Sequence, residues 1–183
     1  MQRREVVRFL GAALALPFLP RSAEAAIQLG ESLHARLGDV PFRTLNSDQR
    51  ALVTNIAEMI IPETDTPGAT RVKVPEFIDL ILTEWASDGE RATFLAGLGD
   101  IDARASTMGQ SRFVDLASAR KTELLTSLDA ANTDKSGAGL AFARLKGLTV
   151  YGYFTSMTVQ QDILKTQMFF NGYDGNVPFA PAV

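Results

Sequence analysis

The chain of 183 residues contains no cysteine and only one histidine, His34. The lack of cysteine excludes disulfides, iron–sulfur clusters, thiolate zinc sites and a thiol nucleophile. A Ser-His-Asp triad or a histidine-ligated haem would have to be built on His34. Because His34 lies in a short amphipathic stretch near the N-terminus, we expect a solvent-exposed helix histidine rather than a catalytic or ligating one.

Long basic runs and glycine-rich phosphate loops are also missing. Hydrophobic residues make up 46% and charged residues 21% of the chain, and the net charge is −3. This composition is typical of one globular domain, and the absence of a basic run argues against nucleic acid as a partner. The Gly-Leu-Gly-Asp sequence at 97–100 lacks the preceding strand of a dinucleotide-binding site.

The N-terminal segment has the pattern of an export signal. A basic start is followed by an apolar stretch of 12 residues at 9–20 and by Ala-Glu-Ala at 23–25, a small-x-small cleavage signature. The apolar stretch is too short to span a membrane, which takes about 20 apolar residues. We therefore expect residues 1–25 to be a signal peptide and the mature protein to be periplasmic.

An arginine pair, Arg3 and Arg4, indicates the route of export. The sequence QRREVVR is similar to the twin-arginine motif, although Val6 and Val7 stand where Phe and Leu are usual. An ordinary Sec signal with an incidental arginine pair is the alternative. Twin-arginine export moves folded proteins, so a folded partner could travel with this chain.

The remaining sequence has mostly helical periodicity. Helices are predicted at 47–61, from 75, at about 89–108, from 118, at about 140–157 and at about 159–167. Asn46 or Ser47 can cap the first helix, Pro62 ends it, and Pro75 opens the second. The second of these has an apolar face composed of Phe77, Ile78, Ile81, Leu82 and Trp85. The prediction is a mostly α, compact single-domain bundle of about five to six helices. We expect a linker or short helix at 26–44, the helical domain at 45–183, an irregular loop at 62–74 and an irregular C-terminal tail.

The acids of the 62–74 loop are candidates for chemistry. Glu63 and Asp65 could form a carboxylate pair, but the Asp-x-Asp-x-Asp-Gly pattern of a calcium loop is absent. Asp65 followed by Thr, Pro and Gly is more typical of a turn. A stand-alone periplasmic enzyme using Glu63, Asp65 or Asp79 is kept as an alternative, although no pair of acids has a convincing spacing.

Aromatic residues cluster in the C-terminal third. Tyr151 and Tyr153 lie in LTVYGYFTS, and Phe169, Phe170 and Tyr173 lie in MFFNGYDG. Such residues are rarely left as an exposed patch, so they either pack on the bundle or contact a partner. Phe154 is expected in the core.

Four segments carry a resemblance to a known family. They are LNSDQRALVTNIAEMIIPETDTPGA, VPEFIDLIL, LKGLTVYGYFTS and FFNGYDG, and they cover roughly 45–175. In these segments the chain resembles subunit 3, the small subunit, of flavin-dependent gluconate 2-dehydrogenase. One departure is Asn171-Gly172, since many members have Pro-Gly before the tyrosine.

The resemblance implies an accessory subunit that is not an enzyme by itself and binds no cofactor or metal. In such complexes a large flavoprotein of the glucose-methanol-choline class binds FAD and oxidises a sugar or sugar acid. A multihaem cytochrome c with haem c often forms a third subunit. The small subunit carries the twin-arginine signal, brings the folded flavoprotein across the membrane and stabilises it. The mature chain, which has no membrane span of its own, would meet the membrane only through the complex.

A partner interface is expected at the 62–74 loop and the aromatic residues, because interfaces favour Tyr, Phe and Arg at their centres. The residues predicted for it are Thr64, Asp65, Pro67, Arg71, Tyr151, Tyr153, Phe169, Phe170 and Tyr173. A binding module for an unrelated envelope protein is the remaining alternative.

Overall fold

The computed structural model describes residues 22–37, 41–109, 112–130 and 137–164. Within these ranges the chain forms α1 (Ala23–Arg36), α2 (Ser47–Ile60), α3 (Val74–Glu84), α4 (Asp88–Gly109), α5 (Ser118–Ala130) and α6 (Gly137–Phe154). A 3-10 turn lies at Phe113–Asp115 and a π-helical turn at Val159–Ile163. No strand occurs in the described residues, and the predicted mostly α bundle is confirmed.

The helix boundaries follow from local backbone chemistry. The Asn46 side chain accepts the Gln49 N–H at 2.9 Å, and the Gln49 side chain accepts the Asn46 N–H at 3.1 Å, which completes a capping box at the start of α2. α2 ends two residues before Pro62, and Pro75 lies in the first turn of α3. Both ends of the 62–74 loop are therefore placed as predicted.

Helix α6 contributes more buried residues than any other described helix and packs most extensively against α4. Their backbones come close at Gly97, where an added Cβ would lie 2.5 Å from the Cβ of Ala141. The glycine thus permits a helix contact that any larger residue would block.

The C-terminal turn of α6 joins α1 and α3 to the bundle. A Cβ at Gly152 would lie 2.7 Å from Cδ1 of Phe77, so the Phe77 ring rests directly on the α6 backbone. The ring stacks against His34 of α1 at a centroid distance of 4.7 Å, and it meets Tyr151 edge-on at 5.4 Å.

The Tyr151 hydroxyl also attaches α1, because it donates a hydrogen bond to the carbonyl of Ala26. Because Leu29 and Leu33 are also buried, α1 belongs to the same core as the helices that follow.

Trp85 departs from the predicted pattern. Phe77, Ile78, Ile81 and Leu82 are buried as expected, but Trp85 is 44% exposed. α3 ends at Glu84, and the following Ala86 N–H bonds the carbonyl of Ile81 at 3.1 Å. Ala86 takes the buried position after the helix, so the prediction for Trp85 is wrong.

Several predicted features lie outside the described residues. They are the signal segment up to residue 21, with Arg3 and Arg4, and the tail from residue 165, with Phe169, Phe170 and Tyr173. The last predicted helix is described only as far as its π-helical turn. Within the described ranges, no helix combines the length and apolar character that a membrane crossing requires.

We predict that Gly152→Ala lowers the free energy of unfolding by about 1–3 kcal/mol, because the new methyl group must displace the Phe77 ring. Urea unfolding measures the change. The matched control is Gly99→Ala, since the added Cβ at that helical position would meet no atom within 4 Å other than those of its own helix backbone and chain neighbours. The control should gain about 0.5–1 kcal/mol from helix propensity. Equal effects of the two substitutions would contradict the proposed contact.

Candidate partner interface

One carboxylate holds the two sides of the 62–74 loop together. The Oε1 atom of Glu58 accepts the Glu63 N–H at 2.9 Å, and Oε2 accepts the N–H and the hydroxyl of Thr70 at 3.0 and 2.7 Å. Burial alone would raise the pKa of Glu58, but these hydrogen bonds outweigh it and lower the pKa below its usual value. Glu58 therefore acts as an ionised acceptor that fixes the loop backbone.

A second anchor joins the loop to the core. The Tyr153 hydroxyl donates to the carbonyl of Pro67 at 2.9 Å, and the Ala69 N–H donates to the carbonyl of Ile61 at 2.9 Å. Gly68 is buried against the Glu58 carboxylate, and a Cβ there would lie 2.7 Å from the Glu63 nitrogen. The loop is packed in place on its inner side.

The loop ends in an unusual backbone conformation. Lys73 has a φ of 59°, in the left-handed region, which costs about 1–2 kcal/mol for a residue with a Cβ. The Lys73 N–H bonds the Thr70 carbonyl at 3.1 Å, and the Val74 N–H bonds the Ala69 carbonyl at 3.0 Å. These two bonds hold the turn that leads into α3.

The outer side of the loop is polar and exposed. The Thr64 hydroxyl donates to Asp65 at 3.0 Å, and Arg71 pairs with Glu63 at 2.8 Å. All four side chains are exposed, so these contacts contribute little to stability. The loop thus presents hydrogen-bonding groups and charges of both signs on a fixed backbone.

An open groove of about 500 Å³ adjoins the start of the loop. Its apolar walls come from Met59 and Ile60 of α2, Leu125 of α5 and Phe142 of α6. At its edge, Lys146 pairs with Asp129 at 2.8 Å. Sequence patterns did not indicate the groove, because it forms only where three separate helices meet in the folded chain. An apolar groove beside a polar loop has the composition of a protein contact surface.

The six predicted interface residues that lie in the described part of the chain fall into three groups. Thr64, Asp65 and Arg71 are exposed on the loop, and Pro67 is half-buried. Tyr151 and Tyr153 are only 1% and 5% exposed. The structure gives these two tyrosines a role inside the bundle, in contrast to the partner-facing position predicted for them. Their hydroxyls bind carbonyls of α1 and of the loop. Contact of the exposed loop residues with a partner stays a prediction.

Each of the candidate acids has structural partners within the described part of the chain. The buried Asp79 carboxylate accepts the N–H groups of Arg43, Thr44 and Leu45 at 2.8, 3.0 and 2.7 Å. Its partners show that it fixes the chain just before α2. Glu63 and Asp65 are occupied by their contacts within the loop. Among the described residues, no group of three or more His, Asp or Glu side chains is arranged to hold a metal ion.

His34 is half-buried, so the expectation of an exposed helix histidine is wrong. Its Nε2 atom lies 2.7 Å from the carbonyl oxygen of Gly152, and its ring stacks on Phe77. Burial lowers the pKa of His34 to about 4, against the opposing effect of the Gly152 hydrogen bond. The neutral ring therefore donates its Nε2–H to Gly152 and joins α1 to α6.

Acid should weaken this contact. A pKa of about 4 in the folded state lies below the unfolded value of 6.5, so the stabilisation is complete above pH 6.5 and is lost as the pH falls toward 4. Between pH 7.5 and 5.5 we expect a loss of about 1 kcal/mol that His34→Gln does not show. Urea unfolding at both pH values checks this. The same loss in both proteins would assign the pH dependence to other groups.

Removal of the Glu58 carboxylate should loosen the loop. We expect Glu58→Ala to raise the rate of trypsin cleavage after Arg71 or Lys73 about tenfold, because the free energy of local opening falls by about 1.4 kcal/mol. Mass spectrometry of the fragments identifies the cleaved bond. Glu123→Ala is the control, since Glu123 is exposed and pairs only with Arg120 of its own helix in the described structure. Unchanged cleavage of the Glu58 variant would contradict the anchoring role.

Comparison with known protein families gives one match. The family model described as gluconate 2-dehydrogenase subunit 3 matches residues 47–172, which include α2 to α6 and the 62–74 loop. No curated protein and no solved structure matches the chain. The family match covers well over half of the sequence, and the resemblance seen in the loop and α6 segments is confirmed. The chain belongs to the gluconate 2-dehydrogenase subunit 3 family.

Proposed function

We propose that this chain is the non-catalytic small subunit of a periplasmic, FAD-dependent dehydrogenase that oxidises a sugar or sugar acid. The role of this small subunit is to bind the folded flavoprotein, to stabilise it and to carry it through the twin-arginine export route. Membership of a dehydrogenase subunit family supports the existence of a dehydrogenase partner. FAD is bound by that partner, and a cytochrome c subunit that carries haem c would receive its electrons.

The observation that carries the proposal is the fixed loop. Glu58 and Tyr153 hold its backbone, while Thr64, Asp65 and Arg71 point outward. A surface that is already ordered loses less conformational entropy on association than a flexible one. Many polar groups of the loop bond to one another or to Glu58 and so maintain the conformation of the loop. This arrangement suits a binding surface better than an active site.

The groove beside the loop extends the same surface. Its apolar walls would be covered by side chains of the flavoprotein, and its edge pair, Lys146 and Asp129, would lie at the rim of the contact. Interfaces commonly combine an apolar centre with a polar rim in this way. The proposed contact therefore includes the loop and the groove together.

The carrier role predicts a specific export defect. The flavoprotein that co-purifies with this chain is co-expressed with the wild type or with a variant that carries both Arg3→Lys and Arg4→Lys. We expect the variant to leave the flavoprotein in the cytoplasm, because the paired arginines are the address that the export route recognises. Periplasmic dehydrogenase activity with an artificial electron acceptor measures export. The control is Arg8→Lys, which keeps the pair. An active flavoprotein that reaches the periplasm alone in the double variant would contradict the carrier role.

A further inference from the structure

The cleavage site predicted from the sequence lies inside helix α1. The small-x-small sequence Ala-Glu-Ala at 23–25 predicts hydrolysis of the peptide bond between Ala25 and Ala26. In the structure α1 begins at Ala23, so this bond lies in the first turn of the helix. The Ser22 side chain accepts the Ala25 N–H at 3.3 Å, and the Ser22 carbonyl accepts the Ala26 N–H at 3.0 Å. Both residues that flank the bond are therefore held by the helix cap.

The first turn of α1 is also attached to the core of the bundle. Ala26 is only 4% exposed, and the hydroxyl of Tyr151 in α6 donates a hydrogen bond to its carbonyl. Burial raises the pKa of Tyr151, so the hydroxyl remains protonated and able to donate throughout the physiological pH range. The residue that would become the new N-terminus after cleavage is thus bound to α6.

Two further contacts continue the same face of α1. Ala26, Gly30 and His34 are spaced by four residues, so they lie on one face of the helix. A Cβ at Gly30 would lie 2.5 Å from the Cβ of Thr155. The Nε2 atom of His34 lies 2.7 Å from the carbonyl oxygen of Gly152. Helix α1 therefore packs on the C-terminal end of α6 from its first turn to its last.

Hydrolysis of the bond requires this turn to open. A peptidase binds the residues on both sides of the scissile bond in an extended conformation, as a strand added to the enzyme. A helical turn does not fit such a cleft, so cleavage proceeds only from the fraction of molecules in which the turn is open. Opening breaks the bonds to Ser22 and the bond between Tyr151 and Ala26.

The product of hydrolysis would have a weaker α1. Addition of one water molecule to the bond leaves a carboxylate on Ala25 and an amine on Ala26. The amine is mostly protonated at neutral pH, and a positive charge is unfavourable at the N-terminal end of a helix dipole. Ser22 leaves with the released segment, so the helix also loses its cap.

We propose that the folding of α1 closes the Ala25–Ala26 bond to signal peptidase, so that a chain exported in the folded state keeps residues 1–25. The retention of these residues rests on the proposed function, which includes export in the folded state. The closure itself rests only on the contacts of α1. In a chain exported unfolded, the peptidase would act before α1 forms, and the product would begin at Ala26.

The closure is tested on the purified full chain. The folded chain and a synthetic peptide of residues 1–33 contain the same bond, but the peptide lacks α6. Both are incubated with a signal peptidase in micelles of a nonionic detergent, and mass spectrometry follows the release of residues 1–25. We expect the peptide to be cleaved about 100-fold faster or more, as for a turn that is open in one molecule in a hundred. Circular dichroism verifies that the full chain stays folded in the micelles, and equal rates of cleavage would overturn the inference.

A single hydroxyl allows a matched comparison. We expect Tyr151→Phe to speed cleavage of the full chain about tenfold, because the variant loses one buried hydrogen bond to the first turn. Tyr153→Phe is the control, since the Tyr153 hydroxyl bonds the carbonyl of Pro67 instead. It should change the rate less than twofold. Urea unfolding verifies that both variants are folded, and equal rates in the two would contradict the role of the bond to Ala26.

The helix cap gives a second variant. We expect Ser22→Ala to speed cleavage of the full chain about fivefold, because it removes the cap of α1. The peptide with the same substitution is the control, since any direct effect on recognition by the peptidase appears there as well. An equal change in the peptide and in the full chain would mean that the cap does not protect the bond.

The exported protein provides the outcome in the cell. The chain is isolated from the periplasm with its flavoprotein, and its intact mass is measured. A mass that includes residues 1–25 supports the inference. A chain that begins at Ala26, although the purified full chain resists the peptidase, has crossed the membrane unfolded, which supports the closure and contradicts the carrier role. A chain that begins at Ala26 and is also cleaved rapidly when folded overturns the inference and leaves the proposed function standing.

Discussion

The contact between Gly152 and the ring of Phe77 is the constraint on which the arrangement of the bundle depends. Because Gly152 has no Cβ, the ring lies directly on the backbone of α6. His34 then stacks on the ring and bonds the Gly152 carbonyl, while Tyr151 meets the ring edge-on and bonds Ala26. One turn of α6 therefore fixes both α1 and α3, and a larger residue at this position would have to displace the Phe77 ring.

The same turn connects the core with the surface that we assign to the partner. The hydroxyl of Tyr153 in α6 donates a hydrogen bond to the carbonyl of Pro67, and the Glu58 carboxylate accepts the N–H of Glu63. The loop is therefore held by both α6 and α2. The segments IIPETDTPGA and LTVYGYFTS, which carry much of the family resemblance, are thus in direct contact. Their joint occurrence has a physical cause, since the tyrosine of one supports the turn of the other. The conformation of the loop is therefore set by its contacts with α6 and with Glu58.

Local sequence signals predicted the helices and the ends of the loop, because caps and prolines act over a few residues. Asn46, Pro62 and Pro75 are such signals, and the structure has all three boundaries in place. The exposure of Trp85 was not predictable from periodicity, which assumes that the helix continues past Glu84. The burial of Tyr151 and Tyr153 depends on which carbonyls lie opposite them, and the groove depends on three helices that meet only in the folded chain. These features are tertiary, and a single sequence gives no direct signal for them.

The central claim is that a core-supported loop holds the dehydrogenase subunit. It is tested most directly by hydrogen–deuterium exchange of the purified complex, compared with the isolated chain. The account predicts slower exchange of the backbone amides of residues 63–71 in the complex, because a bound subunit excludes water from the exposed side of the loop. Identical exchange of these amides in an intact complex would contradict it.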